Sequence, residues 1–331
     1  MNTALEALGM HYGCLNVDGF NPEALLDVVK DGQFEQRLLG AGGLSFRARA
    51  QRILFSGFNL DRGTYTLPVL AKGSFGGAMM GLALATHCEQ PMWLNGVRVE
   101  EGQLMIFAED RELAVRSVTP LWQWAVLRIP RSTLQAAVHA RLGRDIALPQ
   151  TGWQLCPRTV DRNARLRGQI HRAMHLAARW DASTAVEEGR LVGELLVDAF
   201  VDAMGRADGY PETASRFANR MKRERILQRA EALLQGSDVQ EFSSSALSNA
   251  LSLSERQLER IFRDIYGMTP KRWHQVARLN QARQMLLYGR GRCVTEIALR
   301  AGFSHLGRFA RDYHALFGER PRDTHLAMSV K

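Results

Sequence analysis

The run Leu258-Glu-Arg260-Ile-Phe262-Arg-Asp-Ile-Tyr266-Gly267-Met-Thr-Pro270 is answered further on by Phe309-Ala-Arg311-Asp-Tyr313-His-Ala-Leu-Phe317-Gly318-Glu-Arg-Pro321, 51 residues later. Each copy reads as a helix whose aromatics four apart share one face, stopped by Gly and then Pro. A second short helical stretch and a serine-containing turn precede each copy. Two helices joined by a tight turn, with arginines on the outer face of the second, have the sequence form of a helix-turn-helix. Two such units in one chain suggest a protein that reads two neighbouring stretches of DNA major groove.

Charge follows the same division. Residues 219–331 hold 20 Lys+Arg against 11 Asp+Glu, whereas residues 1–218 hold 23 of each, so the formal charge of +9 belongs to the last third. Phosphate contact with counterion release gives a basic module of this kind a partner. The bland alternative is a solvated basic face, and the coincidence of charge with the repeat argues against it.

A chain of 331 residues with 46% hydrophobic content has room for two packed domains. Cys14, Cys88, Cys156 and Cys293 are scattered, with no CxxC or Cys/His cluster, which argues for reduced thiols and against zinc. The apolar stretch Met79–Ala85 is far short of a membrane span, and Met-Asn-Thr-Ala-Leu-Glu at the start is not a signal peptide. A cytoplasmic protein with no membrane partner is expected.

The fold class expected is α+β: a β-rich domain over 1–160, a helical hairpin over 161–204, a linker over 205–218 and an all-α domain over 219–331. Residues 1–45 read as a loosely structured lead-in with a short helix at 22–29. Strands are expected at 52–58, 63–67, 103–107 and 121–129, with Asn95-Gly96 as a type I′ hairpin turn and Glu101-Gly102 as another turn. Short strands at this spacing suggest a jelly-roll or cupin-like barrel. Beyond it, Leu166, Ile170, Met174 and Ala177 lie at helical spacing, as do Val186, Leu191, Leu195, Leu196, Ala199 and Phe200. These two helices offer more apolar surface than one barrel needs, so a homodimer built on them is expected. Gly205–Ser215, rich in Gly and polar residues, reads as the linker.

Seven helices are expected in the last domain: 220–235, 244–251, 254–266, 270–288, 294–300, 304–317 and 321–327, with Ser254 as an N-cap. Ser254-Glu-Arg-Gln-Leu-Glu-Arg-Ile-Phe262, Gly267-Met-Thr-Pro270, Arg278-Leu279, Ala282-Arg283, Leu286-Leu287, Ile297-Ala298-Leu-Arg-Ala-Gly302-Phe303-Ser304 and Phe317-Gly-Glu-Arg-Pro321 together resemble the DNA-binding domain of the AraC/XylS family of transcription regulators. The resemblance covers about 110 residues in the family's order. It implies an N-terminal regulatory barrel, a transcriptional activator and contact with RNA polymerase. Ser248 and Ser252 depart from it, standing where the family has a small Ala and a turn Gly. Ser252 is therefore expected at positive φ. The strand region 55–130 also resembles, distantly, the regulatory half of ethanolamine-operon members.

Base-edge candidates lie on the exposed start of each second helix. In the first these are Arg256, Gln257, Glu259 and Arg260, and the family pattern turns Arg256, Glu259 and Arg260 to the groove. In the second they are His305, Leu306, Gly307, Arg308 and Arg311. Arginine suits guanine O6 and N7, glutamate accepts from cytosine, and leucine can meet a thymine methyl. Contact with phosphate alone is the other possibility for each arginine. Phe262, Tyr266, Phe303, Phe309, Tyr313 and Phe317 are assigned to core.

The first 130 residues contain only His11 and His87, with no HxH, so neither a catalytic site nor a metal or other cofactor is expected. Gly73-Ser-Phe-Gly-Gly77 lacks the Lys-Ser/Thr of a P-loop and reads as a turn. Phe58, Tyr65, Phe75, Trp93, Phe107, Trp122 and Trp124 either line a small-molecule effector pocket or fill an ordinary core. Trp122 and Trp124 should share a face. Arg158 and Arg162 form an RxxxR pair that some cyclic-dinucleotide binders use. The leading function is a DNA-binding transcriptional regulator. The rivals are a ligand-independent regulator whose first domain only dimerises or binds a protein, and a cupin-type enzyme with a DNA-binding appendage.

Overall fold

Among the described residues, strands lie in the first 155 residues and helices alone follow. The computed structural model describes residues 10–329 apart from 27, 29–31, 41–43, 110–111, 182–184, 206–213, 237–241 and 289–292. Strands β1 (His11–Asp18), β3 (Arg47–Phe55), β4 (Phe58–Tyr65), β6 (Met80–Cys88), β9 (Leu104–Phe107), β11 (Trp122–Ile129) and β12 (Trp153–Leu155) form one antiparallel sheet in the order β1-β3-β4-β11-β6-β9-β12. Strands β2 (Gly32–Leu38), β5 (Val69–Phe75), β7 (Met92–Leu94), β8 (Val97–Val99) and β10 (Glu112–Arg116) form a second, in the order β2-β5-β10-β7-β8.

From His11 onward the lead-in expected over 1–45 is built into the two sheets. β1 pairs residue for residue with β3, from His11 opposite Leu54 to Asp18 opposite Arg47, and β2 pairs with β5. Between them lies the short helix α1 (Pro22–Leu26). Both strands are edge strands with mixed polar sequences, so neither shows the apolar alternation that announces a half-buried strand. Gly73 is likewise not in a turn. It lies within β5, where a Cβ would run into the Gln33 carbonyl of β2, and only the chain after Phe75 turns. Asn95 (φ 49°) and Gly96 (φ 74°) join β7 to β8 with two positive φ values, as a type I′ turn requires.

On the outer face of the large sheet, Ile53, Leu60, Leu82, Ile106, Leu127 and Ile129 meet three helices: α2 (Arg131–Leu142), α3 (Val160–Ala177) and α4 (Ala185–Met204). In α3 the expected residues Leu166, Ile170, Met174 and Ala177 are buried. In α4 the apolar residues divide. Leu196 and Phe200 are buried with Val197 and Val201, while Val186, Leu191 and Leu195 stand exposed.

Most of the linker expected over 205–218 falls on residues outside those described, and from Ala214 the chain is already helical. Seven helices follow: α5 (Ala214–Gly236), α6 (Ser244–Ala250), α7 (Glu255–Tyr266), α8 (Pro270–Tyr288), α9 (Val294–Arg300), α10 (Leu306–Phe317) and α11 (Pro321–Ser329). Leu247, Leu258, Ile261, Phe262, Ile265 and Tyr266 pack with Leu227, Ala230 and Trp273. Ile297, Ala298, Phe309, Tyr313, Leu316 and Phe317 pack with Val276, Leu279, Ala282 and Leu286. The long α8 thus contributes its start to one small core and the rest of its length to the other.

The helical region lies against the outer face of the small sheet and the N-terminal segment. The Asn280 side chain donates to the Leu38 carbonyl and accepts from its N–H, both at 3.0 Å. Buried Arg283 donates to the Phe20 carbonyl from Nε (3.1 Å) and Nη2 (2.6 Å), and its guanidinium lies over the Phe317 ring. Phe20 itself stacks on Phe317, with centroids 6.1 Å apart.

Candidate nucleic-acid interface

Each short-helix, turn, long-helix pair is fixed by local hydrogen bonds. Ser243 caps α6, its hydroxyl accepting from Ala246 N–H at 3.2 Å. The turn closes with Ser252 N–H on Asn249 O (3.0 Å) and Leu253 N–H on Ser248 O (2.9 Å), and Ser252 holds φ 55° as its place in the turn demands. Ser248 is buried and returns its hydroxyl to Ser245 O at 3.0 Å, so serine fits the tight position. Ser254 then opens α7 through a capping box: its Oγ accepts from Gln257 N–H (3.2 Å) and Gln257 Oε1 accepts from Ser254 N–H (3.0 Å).

The second pair repeats this turn with Gly302 N–H on Leu299 O (2.8 Å) and Phe303 N–H on Ala298 O (2.9 Å). Gly302 has φ 80°, and Arg278 lies so close that a Cβ there would strike its guanidinium. The helix after it begins later than expected. Ser304 is outside α10, and His305 takes the N-cap place without a side-chain cap bond. Ser252 and Gly302 are 50 residues apart but Ser254 and His305 are 51 apart, so the second turn is one residue longer. At that spacing Arg260 answers Arg311, Arg256 answers Gly307, and Arg308 answers the capping residue Gln257.

All eight expected contact residues, Arg256, Gln257, Glu259, Arg260, His305, Leu306, Arg308 and Arg311, are exposed. They sit on faces opposite the buried Leu258, Ile261, Phe262 and Ile265 of α7 and Phe309, Tyr313 and Leu316 of α10. Their freedom differs. Gln257 is held by the capping box, Glu259 lies 3.6 Å from Arg263, and Arg308 lies 3.6 Å from Asp312. Asp312 is itself tied to Gln275 of α8 at 2.6 Å. Arg256, Arg260 and Arg311 make no ion pair with any described residue, which leaves their guanidinium groups for an external anion or base edge. The aromatics assigned to core are buried, except that Phe303 is half-buried between Phe309 and Arg278.

The aromatics of the first domain separate into three settings. Tyr65, Phe75, Trp122 and Trp124 line a cavity of about 90 Å³ between the two sheets, with Trp122 and Trp124 on one face as alternation requires. Gly63 is glycine because the Trp124 ring lies over it. Phe58 and Phe107 belong to packed core. Trp93 does not line this cavity. Its neighbours Met92 and Leu94 point inward and turn Trp93 to the other side of the sheet, toward the helical region. Arg158 and Arg162 are exposed on the surface, away from the cavity, with Arg158 paired to Glu100 at 3.0 Å.

Sequence reading missed two polar features of this domain. Gln36, on β2, projects into the cavity with 6% exposure, and its Oε1 has no hydrogen-bond partner among the described residues. Tyr65 adds a hydroxyl whose pKa is pushed far above the usual tyrosine range, first by burial, so it stays protonated. The other feature is Arg116, buried where β10 meets the helical region. No local signal marks either residue, because β2 and β10 are recognisable only through their partners.

A helix-turn-helix domain family matches residues 247–326. A XylDLEGF operon transcriptional activator from Pseudomonas putida is 38% identical over 103 residues, covering 30% of this chain and 31% of that protein. A probable thc operon regulatory protein from Rhodococcus erythropolis is 28% identical over 200 residues, covering 60% of this chain and 59% of that one. A solved transcriptional regulator with an AraC-type DNA-binding domain, from Chromobacterium violaceum, is 29% identical, with a TM-score of 0.30, covering 32% of this chain and 94% of that one. The chain thus spans about a third of the length of the first curated relatives it matches. Among the described residues no helix is long and apolar enough to cross a membrane. In its last third this chain carries a helix-turn-helix domain of the AraC type.

Proposed function

We propose that the protein is a sequence-specific transcriptional activator, that both helix pairs act as helix-turn-helix units, and that a small molecule in the β-domain cavity controls it. The observation that carries this reading is the repeated helix pair, each copy with arginines exposed opposite a buried apolar face and all of the net positive charge in the same third of the chain. Helix α8 has 19 residues, about 28 Å at 1.5 Å per residue. That is a suitable spacer for two helices entering successive major grooves, roughly 34 Å apart. RNA polymerase is the partner an activator engages. Selection of bound sequences from a random DNA pool by the full-length protein should yield a site with two conserved blocks about one helical turn apart. Recovery of a single short block per protomer would mean that one unit alone reads DNA.

The cavity favours effector control over a purely structural β domain. Its walls are alanine, leucine, valine and aromatic side chains, and its polar groups are few and uncharged: Gln36 Oε1, the Tyr65 hydroxyl and the indole of Trp124. Such a site suits a compact neutral molecule with a hydrogen-bond donor for Gln36. The relatives named as operon regulators are the reason for reading this chain as a regulator rather than an enzyme.

A homodimer on α4 is part of the same proposal. Leu195 is 58% exposed, with Leu191 one turn before it on a face that the large sheet leaves uncovered, while Leu196 is 1% exposed and belongs to the core. Only Leu195 is therefore a fair probe. Leu195→Glu should convert a dimer to a monomer at micromolar concentration in analytical ultracentrifugation, without lowering the Tm at concentrations where the wild type is already dissociated. A monomeric wild type at high micromolar concentration contradicts the proposal.

A further inference from the structure

The second helix pair departs from the first at three linked positions. At the 51-residue offset Gly307 stands where the first pair has Arg256, Arg308 where it has the capping residue Gln257, and Asp312 where it has Ile261. Ile261 is 6% exposed and packs in the small core around α7. Asp312 holds the same seam position in α10 with its side chain 19% exposed, so a carboxylate replaces a buried branched aliphatic.

That carboxylate is braced from the connecting helix. Gln275 Nε2 of α8 donates to Asp312 Oδ2 at 2.6 Å, and Gln275 Oε1 accepts from Arg272 Nη1 at 3.0 Å. Arg308, one turn before Asp312, brings its Nε to 3.6 Å from the same Oδ2. The row Arg272, Gln275, Asp312, Arg308 therefore runs from α8 to the exposed first turn of α10. Arg256 and Arg260 of the first pair have no acid in this place among the described residues.

Stability does not account for the row. Ion pairs with an exposed partner contribute little. Arginine in the first turn with its acid one turn later is also the less favourable order, because the helix start carries partial positive charge. An acid beside a face that meets phosphate weakens the attraction for DNA as well. Gly307 supplies the reason for accepting these costs. It has no side chain at the place of Arg256, so base reading in the first turn of α10 falls to Arg308.

We propose that Asp312 is a positioning residue: braced by Gln275, it holds the Arg308 guanidinium from the Nε side and directs the two Nη groups at a guanine. The first-turn reading position of the second pair is then one residue later than that of the first. This inference rests on the reading of both pairs as helix-turn-helix units. A guanidinium fixed on one side enters the groove already oriented, and guanine presents the two acceptors, O6 and N7, that its remaining donors match.

Competition binding by the full-length protein tests it, using the selected site, its single-base variants and unrelated DNA. Arg308→Ala identifies the base position concerned. Asp312→Ala should cut the preference for guanine there by at least about fivefold, while binding to unrelated DNA tightens because an acid has left the phosphate-facing side. A merely structural defect lowers both, so the opposite signs mark positioning. In the Arg308→Ala background, Asp312→Ala should alter base preference no further. Asp312→Asn, which can still accept from Gln275, serves if the alanine variant does not fold, and should show both changes in smaller measure. Unaltered preference in the Asp312 variants, or a further loss in the double variant, overturns the proposal and leaves the helix-turn-helix reading standing. A base other than guanine at that position overturns the guanine assignment. No base preference lost in Arg308→Ala overturns the proposal, and a selected site with no block for the second pair overturns the underlying reading with it.

Discussion

Arg256→Ala should flatten base preference in one half of the DNA site and leave the other half intact, at a cost of about 1–3 kcal/mol on the preferred sequence. Arg308→Ala should do the converse. The guanidinium of Arg256 stands exposed in the first turn of α7, with no ion-pair partner among the described residues, so nothing in the protein competes for it. Arg308 stands in the first turn of α10 with Asp312 3.6 Å away, an arrangement that aims it before DNA arrives. Competition binding with single-base variants of the selected site measures both effects. The wild type should lose affinity steeply and linearly in a plot of log K against log salt, because exposed arginines release counterions. If either variant weakens binding equally on all sequences and makes the salt slope shallower by about one, that arginine touches phosphate only, and its reading role fails.

The second large effect is stabilisation by an effector. A neutral molecule that fills the inner cavity and donates to Gln36 should, at about 100 times its Kd, add about 2.7 kcal/mol to the stability of the fold. In a domain of this size that raises Tm by about 5–10 °C. Gln36→Leu removes an acceptor that is buried without a partner but also the side-chain hydrogen bond to buried Tyr65, so the unliganded protein should lose about 1–3 kcal/mol. The variant should also lose its preference for an alcohol over the matching alkane. A thermal-shift screen of full-length protein against small neutral alcohols, phenols and amides, repeated on the variant, reads both. Stabilisation by anions alone, or an unaltered preference in Gln36→Leu, excludes the inner cavity as the effector site.

The helical third was legible because its signals are local. A serine cap, Gly and Pro stops and aromatics four apart each act within one turn of chain, and the expected spans of α8 and α9 match the structure residue for residue. Placement erred at α5, which begins at Ala214 rather than Arg220, and at Ser304, read as the start of α10, where the extra turn residue moves His305 into the capping place. The β domain was legible only where strands are apolar or a turn is marked, as at Asn95-Gly96. Edge strands β1 and β2 carry polar sequences, and only their partners β3 and β5 make them strands. Leu195 and Leu196 are adjacent apolar residues on one helix. Packing against the large sheet alone decides that one is core and the other surface.

By itself the sequence determined that the last third is a repeated, positively charged helical region, because capping, helical periodicity and net charge need no distant contact. Tertiary structure alone decided which side of the small sheet each strand residue serves. Period-two alternation separates two faces but cannot say what each will meet. The neutral cavity at Gln36, the burial of Arg116 and the clasp of Arg283 on Phe20 all depend on segments that pack together across about 80 to 260 residues of sequence.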